Sequence, residues 1–342
     1  MKVHAVLLAV VGLLGFATVG AWAGEKRTEQ TRAGDYRISG PYTEGNLNIF
    51  LIHGKDAIPD KKYVTLAEAL EQKKAVVHET KHVNEVNVEN LSADADLYLE
   101  AGDIIKGGQQ DRIISMDLIV KPKSGKVPLP CFCVEASRWS QRGTEDAAAF
   151  RSSPGKAAGK EVQLAAQYSR DQSLVWKQVA EAQMRLTRSV GKSVQSKASP
   201  TSLQLSQEDK KLLEMVERYV KELGKTPQKE KDAIGYAAAI NGKVENFDVY
   251  GSSDLFAKLW PRLLRASAIE AVAAFPKDKK KFEPAAAAAV VKMLEDADKG
   301  KKKEEKVIGG RVHLVTRQSN ENIFFETRDR ERDSKPVHKS GK

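Results

Sequence analysis

The sequence contains only two cysteines, Cys131 and Cys133, in 342 residues. This number excludes a scaffold held together by several disulfides. Residues i and i+2 of a strand share a face, and joining them needs a strained turn, so two thiols or a strained local bridge are expected. The six histidines show no metal-ligand spacing, and the sequence therefore predicts no structural zinc, no other metal and no cofactor.

Aromatic residues are also scarce, at 6% of the chain. The net charge is +10, but acidic residues are interspersed with the lysine runs. A groove for single-stranded nucleic acid combines positive charge with aromatic rings on which bases stack. The pattern therefore predicts a solvated basic surface and no nucleic-acid partner.

No charged residue lies between Lys2 and Glu25. The apolar stretch ends in Ala21-Trp22-Ala23, a small-x-small cleavage signature. We predict a signal peptide over residues 1–23, cleaved near Gly24, and hence a secreted or periplasmic protein. The alternative is an uncleaved membrane anchor, because the stretch approaches the ~20 apolar residues that a bilayer requires. The membrane is a predicted partner only if the segment is not cleaved.

Strand signals dominate residues 46–139. Residues 85–89 alternate between polar and apolar, and short turn signals such as Gly107-Gly108 separate the apolar runs. Successive strands with short connections favour antiparallel pairing. We predict an α+β fold, mainly an antiparallel β-sandwich or open barrel with a helical subdomain packed against it.

Helical periodicity occupies residues 160–300 and is followed by two strands within residues 307–325. We predict a helix after Asp171, a helix capped by Ser206 and ended by Gly224, and a hairpin turning at Asn241-Gly242. Pro261 should kink or restart the apolar helix around it. The domain organisation predicted is a polar lead-in over 24–45, one domain over 46–326 and a disordered tail over 327–342.

Residues 102–112, GDIIKGGQQDR, are the most unusual stretch. Two adjacent glycines permit positive φ and expose backbone amides, which suits a turn that grips an anion. Arg112 is suited to bind a phosphate or carboxylate, and Asp111 to orient it or act as a base. The alternative is a tight hairpin with a structural Asp–Arg pair.

The second stretch, CFCVEASRW, ends at Trp139. Cys133 and Glu135 share one strand face, while Arg138 and Trp139 add a cation and a ring that can stack on a base. The alternative is that Trp139 fills the core while Glu135 pairs with Arg138. Cys133 is not expected to be a nucleophile, because no histidine lies near it in sequence. His53, at a strand end, is a further candidate acid or base.

These stretches together resemble the motifs of a known protein family. The combination of FLIHG, KGGQQDR and CFCVEASRW resembles the ARG and rhodanese-phosphatase-superfamily-associated protein family, over roughly residues 45–325. The family name refers to an association with ADP-ribosylglycohydrolase and rhodanese-phosphatase proteins. This association implies a role near ADP-ribose or nucleotide-derivative metabolism. The matching signature positions are Gly107, Gly108, Gln109, Asp111, Arg112, Cys133, Glu135, Arg138 and Trp139.

The resulting functional hypothesis is an exported domain that binds an anionic or nucleotide-like small molecule such as ADP-ribose, and whether it also hydrolyses that molecule is left open. Glu135 and Asp111 would be the catalytic acid and base. The alternative is a non-enzymatic envelope protein with a structural or interaction role, in which both motifs lock the β core. The sequence does not specify a protein partner. Ligand binding is assigned to Gly107, Gly108, Gln109, Arg112, Arg138 and Trp139.

Overall fold

A computed structural model describes residues 31–59, 62–275, 282–308, 311–319 and 321–342. The predicted signal peptide over 1–23 lies outside these residues, and export stays a prediction. Within the described ranges, no helix combines the length and the apolar character needed to span a bilayer.

The described residues form eighteen strands and seven α-helices, arranged as an α+β fold. The strands are β1 (Thr31–Ala33), β2 (Tyr36–Glu44), β3 (Leu47–His53), β4 (Tyr63–Thr65), β5 (Ala75–His82), β6 (Glu85–Asn90), β7 (Asp96–Leu99), β8 (Asp103–Gly107), β9 (Arg112–Ile114), β10 (Leu118–Val120), β11 (Lys126–Cys133), β12 (Phe150–Lys156), β13 (Ala233–Ile240), β14 (Lys243–Tyr250), β15 (Lys301–Ile308), β16 (Val312–Ser319), β17 (Asn322–Asp329) and β18 (Lys335–Gly341). The helices are α1 (Leu66–Glu71), α2 (Lys160–Leu164), α3 (Gln172–Val190), α4 (Leu203–Gln207), α5 (Lys210–Leu223), α6 (Ser253–Ala273) and α7 (Ala287–Lys299).

The largest sheet has nine strands in the order β1-β2-β3-β13-β14-β18-β17-β16-β15, all antiparallel. The predicted hairpin between β13 and β14 is confirmed. Asn241 and Gly242 both have positive φ, at 54° and 82°, as a two-residue hairpin turn requires.

A second sheet has six strands in the order β12-β8-β9-β11-β6-β5. Its edge strands approach each other through a bridge between His78 and Ala149, so the sheet curves into an open barrel. A third sheet, β10-β7-β4, contains the parallel pair β4–β7. The predicted α+β class with antiparallel sheets is confirmed.

Strand alternation distributes the core over both faces of the nine-stranded sheet. Leu47, Ile49 and Leu51 of β3 pack on the face covered by α5 and α6. Phe50 and Ile52 point to the opposite face, which α7 covers. Because a strand has a side-chain period of two, one apolar run supplies both cores.

The helices follow some of their sequence signals and depart from others. Asp171 caps α3, while α5 is capped by Asp209 in place of Ser206 and ends at Gly224. Pro261 lies inside one continuous helix, α6, so the predicted restart does not occur.

Charged and polar segments account for the strands that the sequence interpretation missed. The polar lead-in contains β1 and β2. The lysine-rich segment 301–308 is an edge strand, where charged side chains are tolerated because one side meets water. The prediction of a disordered tail over 327–342 is wrong: β18 pairs with both β14 and β17, and Val337 and His338 are buried.

Candidate functional site

The two signature segments lie next to each other at the barrel. Arg112 of β9 pairs in register with Cys133 of β11. Beyond this pair, the amide of Asp111 donates to Glu135 Oε2 at 3.0 Å. Both carboxylates are fully buried.

Two arginines neutralise these carboxylates. Arg138 donates from Nε to Glu135 Oε1 and from Nη2 to Oε2, both at 2.6 Å. Arg142 donates to both oxygens of Asp111 at 2.9 Å and reaches Glu135 Oε1 at 3.2 Å. Ser202, just before α4, also donates to Asp111 at 2.9 Å. Arg142 and Ser202 lie outside the signature stretches and were not predicted.

The environment moves the pKa values of the two acids in opposite directions. Burial raises the pKa of Asp111, and the neighbouring Glu135 charge adds to the rise, although Arg142 opposes it. Burial also disfavours the charged form of Glu135, but hydrogen bonds, led by that from Arg138, outweigh it and lower its pKa. A pair of acids with separated pKa values suits acid–base work only where substrate can reach it.

The glycine turn has the conformation predicted for an anion grip. Gly107 and Gly108 have φ of 123° and 53°, and a Cβ on Gly108 would lie 2.4 Å from the Phe150 ring. Its amides, however, meet acceptors of the chain itself. The Gly107 amide donates to Asp111 at 3.0 Å, the Gly108 amide to the Asp146 carbonyl at 3.0 Å, and the Gln109 amide to Glu79 at 2.9 Å.

Arg112 is completely buried and Trp139 covers it. The guanidinium carbon lies 5.5 Å from the Trp139 ring centroid, and Trp139 is 46% exposed. Arg112 donates to the Gln110 carbonyl at 2.7 Å and lies 3.5 Å from the Glu79 carboxylate. Trp139 therefore does not fill the core, contrary to the structural alternative stated for it.

The contacts of this cluster favour a structural role. Asp111, Glu135, Arg138 and Arg142 form an interlocked set of charge-assisted hydrogen bonds, which we call the signature lock. The catalytic and ligand-binding roles predicted for its members stay predictions, and the cavity described below is not lined by Asp111, Arg112 or Glu135.

Both cysteines are free thiols and both are buried. Burial raises the pKa of the Cys131 thiol, and raises that of Cys133 to about 11. A thiol with a raised pKa is a poor nucleophile because it is protonated near neutral pH.

His53 is held at both ring nitrogens. Its Nε2 lies 2.7 Å from Ser39 Oγ, and its Nδ1 lies 2.8 Å from Asp232 Oδ1. The ring is 1% exposed, whereas Ser39 is partly exposed. The sequence interpretation selected His53 but neither of its partners, which lie 14 and 179 residues away.

A cavity of about 420 Å³, here called the α3–α6 cleft, opens beside the β13–β14 hairpin turn. Its volume falls in the range of small-molecule sites. Most of its walls are apolar, with a few polar groups at the floor and rim. The lining includes Ala158, Ala182, Leu186, Leu203, Gln207, Ile240, Lys243, Glu245, Ile269, Glu270 and Ala273.

Glu270 of α6 is the central polar group of the α3–α6 cleft. It accepts a hydrogen bond from the Gly159 amide at 2.7 Å. Desolvation by burial raises the pKa of its carboxyl to about 7, and the charges of Glu161 and Glu245 contribute to the rise. Glu270 is the only acid of α6 after the first turn, and this isolation in an apolar helix was the sequence signal for it.

Gln207 supplies a second polar group to the α3–α6 cleft. It is 4% exposed, and its Nε2 has no hydrogen-bond acceptor among the residues that the structure describes. A buried amide donor without a partner costs about 1–3 kcal/mol. An acceptor entering the cleft would satisfy it.

Two clusters among the described residues offer three potential metal ligands each. In the buried one, Lys156 lies 2.7 Å from Glu100 and Lys342 lies 3.9 Å from Asp248. In the other cluster, which contains Asp232, Arg37 donates a hydrogen bond to Asp232 at 3.0 Å. Because cations of the chain already compensate these carboxylates, we assign neither cluster to a metal.

Comparison with known proteins places this architecture in one family. The profile of the ARG and rhodanese-phosphatase-superfamily-associated protein domain matches residues 35–340. No curated protein and no solved structure matches the chain. The matched range includes the signature lock, the Ser39–His53–Asp232 contacts and the α3–α6 cleft. The chain therefore belongs to the ARG and rhodanese-phosphatase-superfamily-associated protein family.

Proposed function

We propose that this domain binds a small molecule in the α3–α6 cleft, and that it does so outside the cytoplasm after removal of residues 1–23. The observation that carries the proposal is the meeting of Glu270 and Gln207 in one apolar cavity. An uncharged carboxyl can donate a hydrogen bond, whereas the charged form only accepts. With a pKa of about 7, Glu270 can offer either form near neutral pH.

The charges at the rim favour a ligand with an apolar or aromatic body and an anionic end. Lys160 lies 3.8 Å from Glu245, and Arg185 lies 3.4 Å from Glu161. Lys243, whose charge also acts on Glu245, makes no ion pair within 4 Å in the described part of the chain. A nucleotide or ADP-ribose-like molecule has this character: its base would occupy the apolar walls and its phosphate would meet Lys243. The cleft replaces the signature lock as the proposed place of binding.

Filling the α3–α6 cleft is expected to abolish ligand binding. The variant Ala273→Trp places a large ring at a partly exposed wall residue of the cleft. The matched control is Ala289→Trp, on the exposed side of α7. A ligand that binds only the folded state raises the melting temperature. We expect ADP-ribose, ADP or AMP to stabilise residues 24–342 and the control, with at least tenfold weaker binding to Ala273→Trp, or about 1.4 kcal/mol.

Equal stabilisation of both variants by the same nucleotide would place binding elsewhere. No stabilisation of the unsubstituted domain by any of the three would remove the nucleotide proposal. That result would favour the structural alternative, which the burial of the signature lock supports.

Glu270 should make stability depend on pH. A carboxyl whose folded pKa lies above its unfolded value stabilises the fold fully below the unfolded pKa, and this contribution is lost as pH rises through the folded pKa. The rise from 4.5 to about 7 corresponds to at most about 3 kcal/mol, since Glu270 is partly exposed and solvent screens its charge. We expect Glu270→Gln to match the wild type near pH 4.5 and exceed it above pH 7, as measured by urea unfolding.

The matched control for that measurement is Glu217→Gln on the exposed face of α5. It should leave the pH profile unchanged. A Glu270→Gln profile parallel to that of the wild type would show that Glu270 does not titrate in this range.

A further inference from the structure

His53 contacts one side chain at each of its two ring nitrogens, so that three side chains are linked in a row. Ser39 Oγ, the two nitrogens of His53 and Asp232 Oδ1 follow one another at 2.7 and 2.8 Å. This is the order in which a serine nucleophile, a general base and an orienting carboxylate must stand. None of the three belongs to the signature lock or lines the α3–α6 cleft.

Pairing in the nine-stranded sheet fixes this geometry. His53 on β3 lies between Arg37 of β2 and Ala233 of β13. Ser39 lies two residues beyond Arg37, on the same face of β2, and Asp232 immediately precedes Ala233. Two neighbouring strands and the turn that leads into a third therefore bring the three side chains together, as a preorganised site requires.

The backbone next to Ser39 departs from regular strand pairing. The register between β2 and β3 shifts between Ser39 and Tyr42. Gly40 has a φ of 110°, and a Cβ there would lie 2.8 Å from the Ile49 carbonyl oxygen. Bulges of this kind redirect a side chain and occur frequently beside active sites.

Asp232 is held as a carboxylate. Burial would raise its pKa, but hydrogen bonds from His53 and Arg37 outweigh that effect and lower it. Arg37 Nη2 donates to both Asp232 oxygens, at 3.1 and 3.0 Å. A fixed anion at Nδ1 places the proton of the neutral ring there and leaves Nε2 free to accept from Ser39.

We propose that Ser39 is the nucleophile of an acyl-transfer centre for carboxylic esters. Ser39 Oγ attacks the ester carbonyl carbon while its proton passes to His53 Nε2. The ester C–O bond then breaks, and the leaving alcohol takes that proton. Water attacks the resulting acyl–serine, gives its proton to His53, and releases the acid as Ser39 recovers its proton.

A fluorophosphonate probe tests the proposal directly, because its phosphorus forms a covalent bond with an activated serine and releases fluoride. We expect labelling of the folded domain over residues 24–342 at Ser39, located by peptide mass spectrometry. Labelling should fall at least 100-fold in Ser39→Ala and at least tenfold in Asp232→Asn. Asp232 is 55% exposed, so the latter variant should fold.

The control is Ser193→Ala, which removes an exposed serine and should label like the wild type. Hydrolysis of p-nitrophenyl acetate should follow the same order among the variants. Labelling of Ser39 no faster than that of Ser193, or undiminished labelling of Asp232→Asn, would overturn the proposal. Neither result would affect ligand binding in the α3–α6 cleft, so the two proposals fail independently.

Discussion

Replacing Arg142 by alanine is expected to lower the free energy of unfolding by about 3–5 kcal/mol. Arg142 is 7% exposed and donates to Asp111 twice at 2.9 Å and to Glu135 once at 3.2 Å. Its removal leaves Asp111 buried with one charge-compensating partner fewer. Burial of that carboxylate still costs the folded state desolvation energy, but the attraction to Arg142 no longer offsets the cost.

Chemical unfolding of the variant should show this loss as a lower transition midpoint with an unchanged slope. Arg218→Ala is the control: Arg218 also pairs with a carboxylate, Glu44, but is 61% exposed, and such pairs contribute about 0–1 kcal/mol. An Arg142→Ala domain as stable as Arg218→Ala would contradict a structural lock. It would favour the original hypothesis that Asp111 and Glu135 face a ligand.

The meeting of the two signature segments could be anticipated from sequence, because polar groups gathered at two strand ends of an apolar β region. The identity of their partners could not. Arg142 lies in a loop of small and polar residues without periodicity, and Ser202 lies 91 residues from Asp111 in the chain. Only the fold determines which donor reaches a buried carboxylate.

The fold was predictable where the pattern was local. Thr65 and Glu68 form the capping box of α1, and Asn241-Gly242 forms the hairpin turn. Strands without an apolar pattern were not predictable. β12 reads FRSSPGK and β18 reads KPVHKSG, and each becomes a strand because a neighbouring strand supplies its hydrogen bonds and distant acids compensate its charges.

The two residues of the proposed ester centre that sequence reasoning missed are ordinary residues without a distinctive sequence pattern. Ser39 and Asp232 carry no motif, and only the pairing of β2, β3 and β13 brings them to His53. Glu270 did carry a signal, a single acid within an apolar helix. An acid within an apolar helix is therefore the sequence signal that leads to the proposed binding cleft, whereas the glycine turn does not.

Replacing Lys156 by methionine is expected to destabilise the fold by about 3–5 kcal/mol at neutral pH. Lys156 is 3% exposed and donates to Glu100 at 2.7 Å. Burial raises the pKa of Glu100, while the Lys156 and His338 cations oppose the rise. Methionine fills the same space without charge, so Glu100 keeps the hydrogen bond from Tyr250 at 2.7 Å but loses its nearest cation.

The pH dependence separates this electrostatic cost from a packing defect. Without Lys156, the pKa of Glu100 should rise further, and a group with a raised folded pKa stabilises the fold at pH below it. The deficit of Lys156→Met, measured by urea unfolding, should therefore shrink as pH falls, whereas a packing defect would persist at all pH values. Adding Glu100→Gln should recover part of the loss at neutral pH, because the carboxylate that Lys156 contacts directly is then uncharged. Lys299, which pairs with Glu295, is 72% exposed, and Lys299→Met should change stability by about 0–1 kcal/mol. A deficit that is constant with pH and unrelieved by Glu100→Gln would show that Lys156 acts through packing alone.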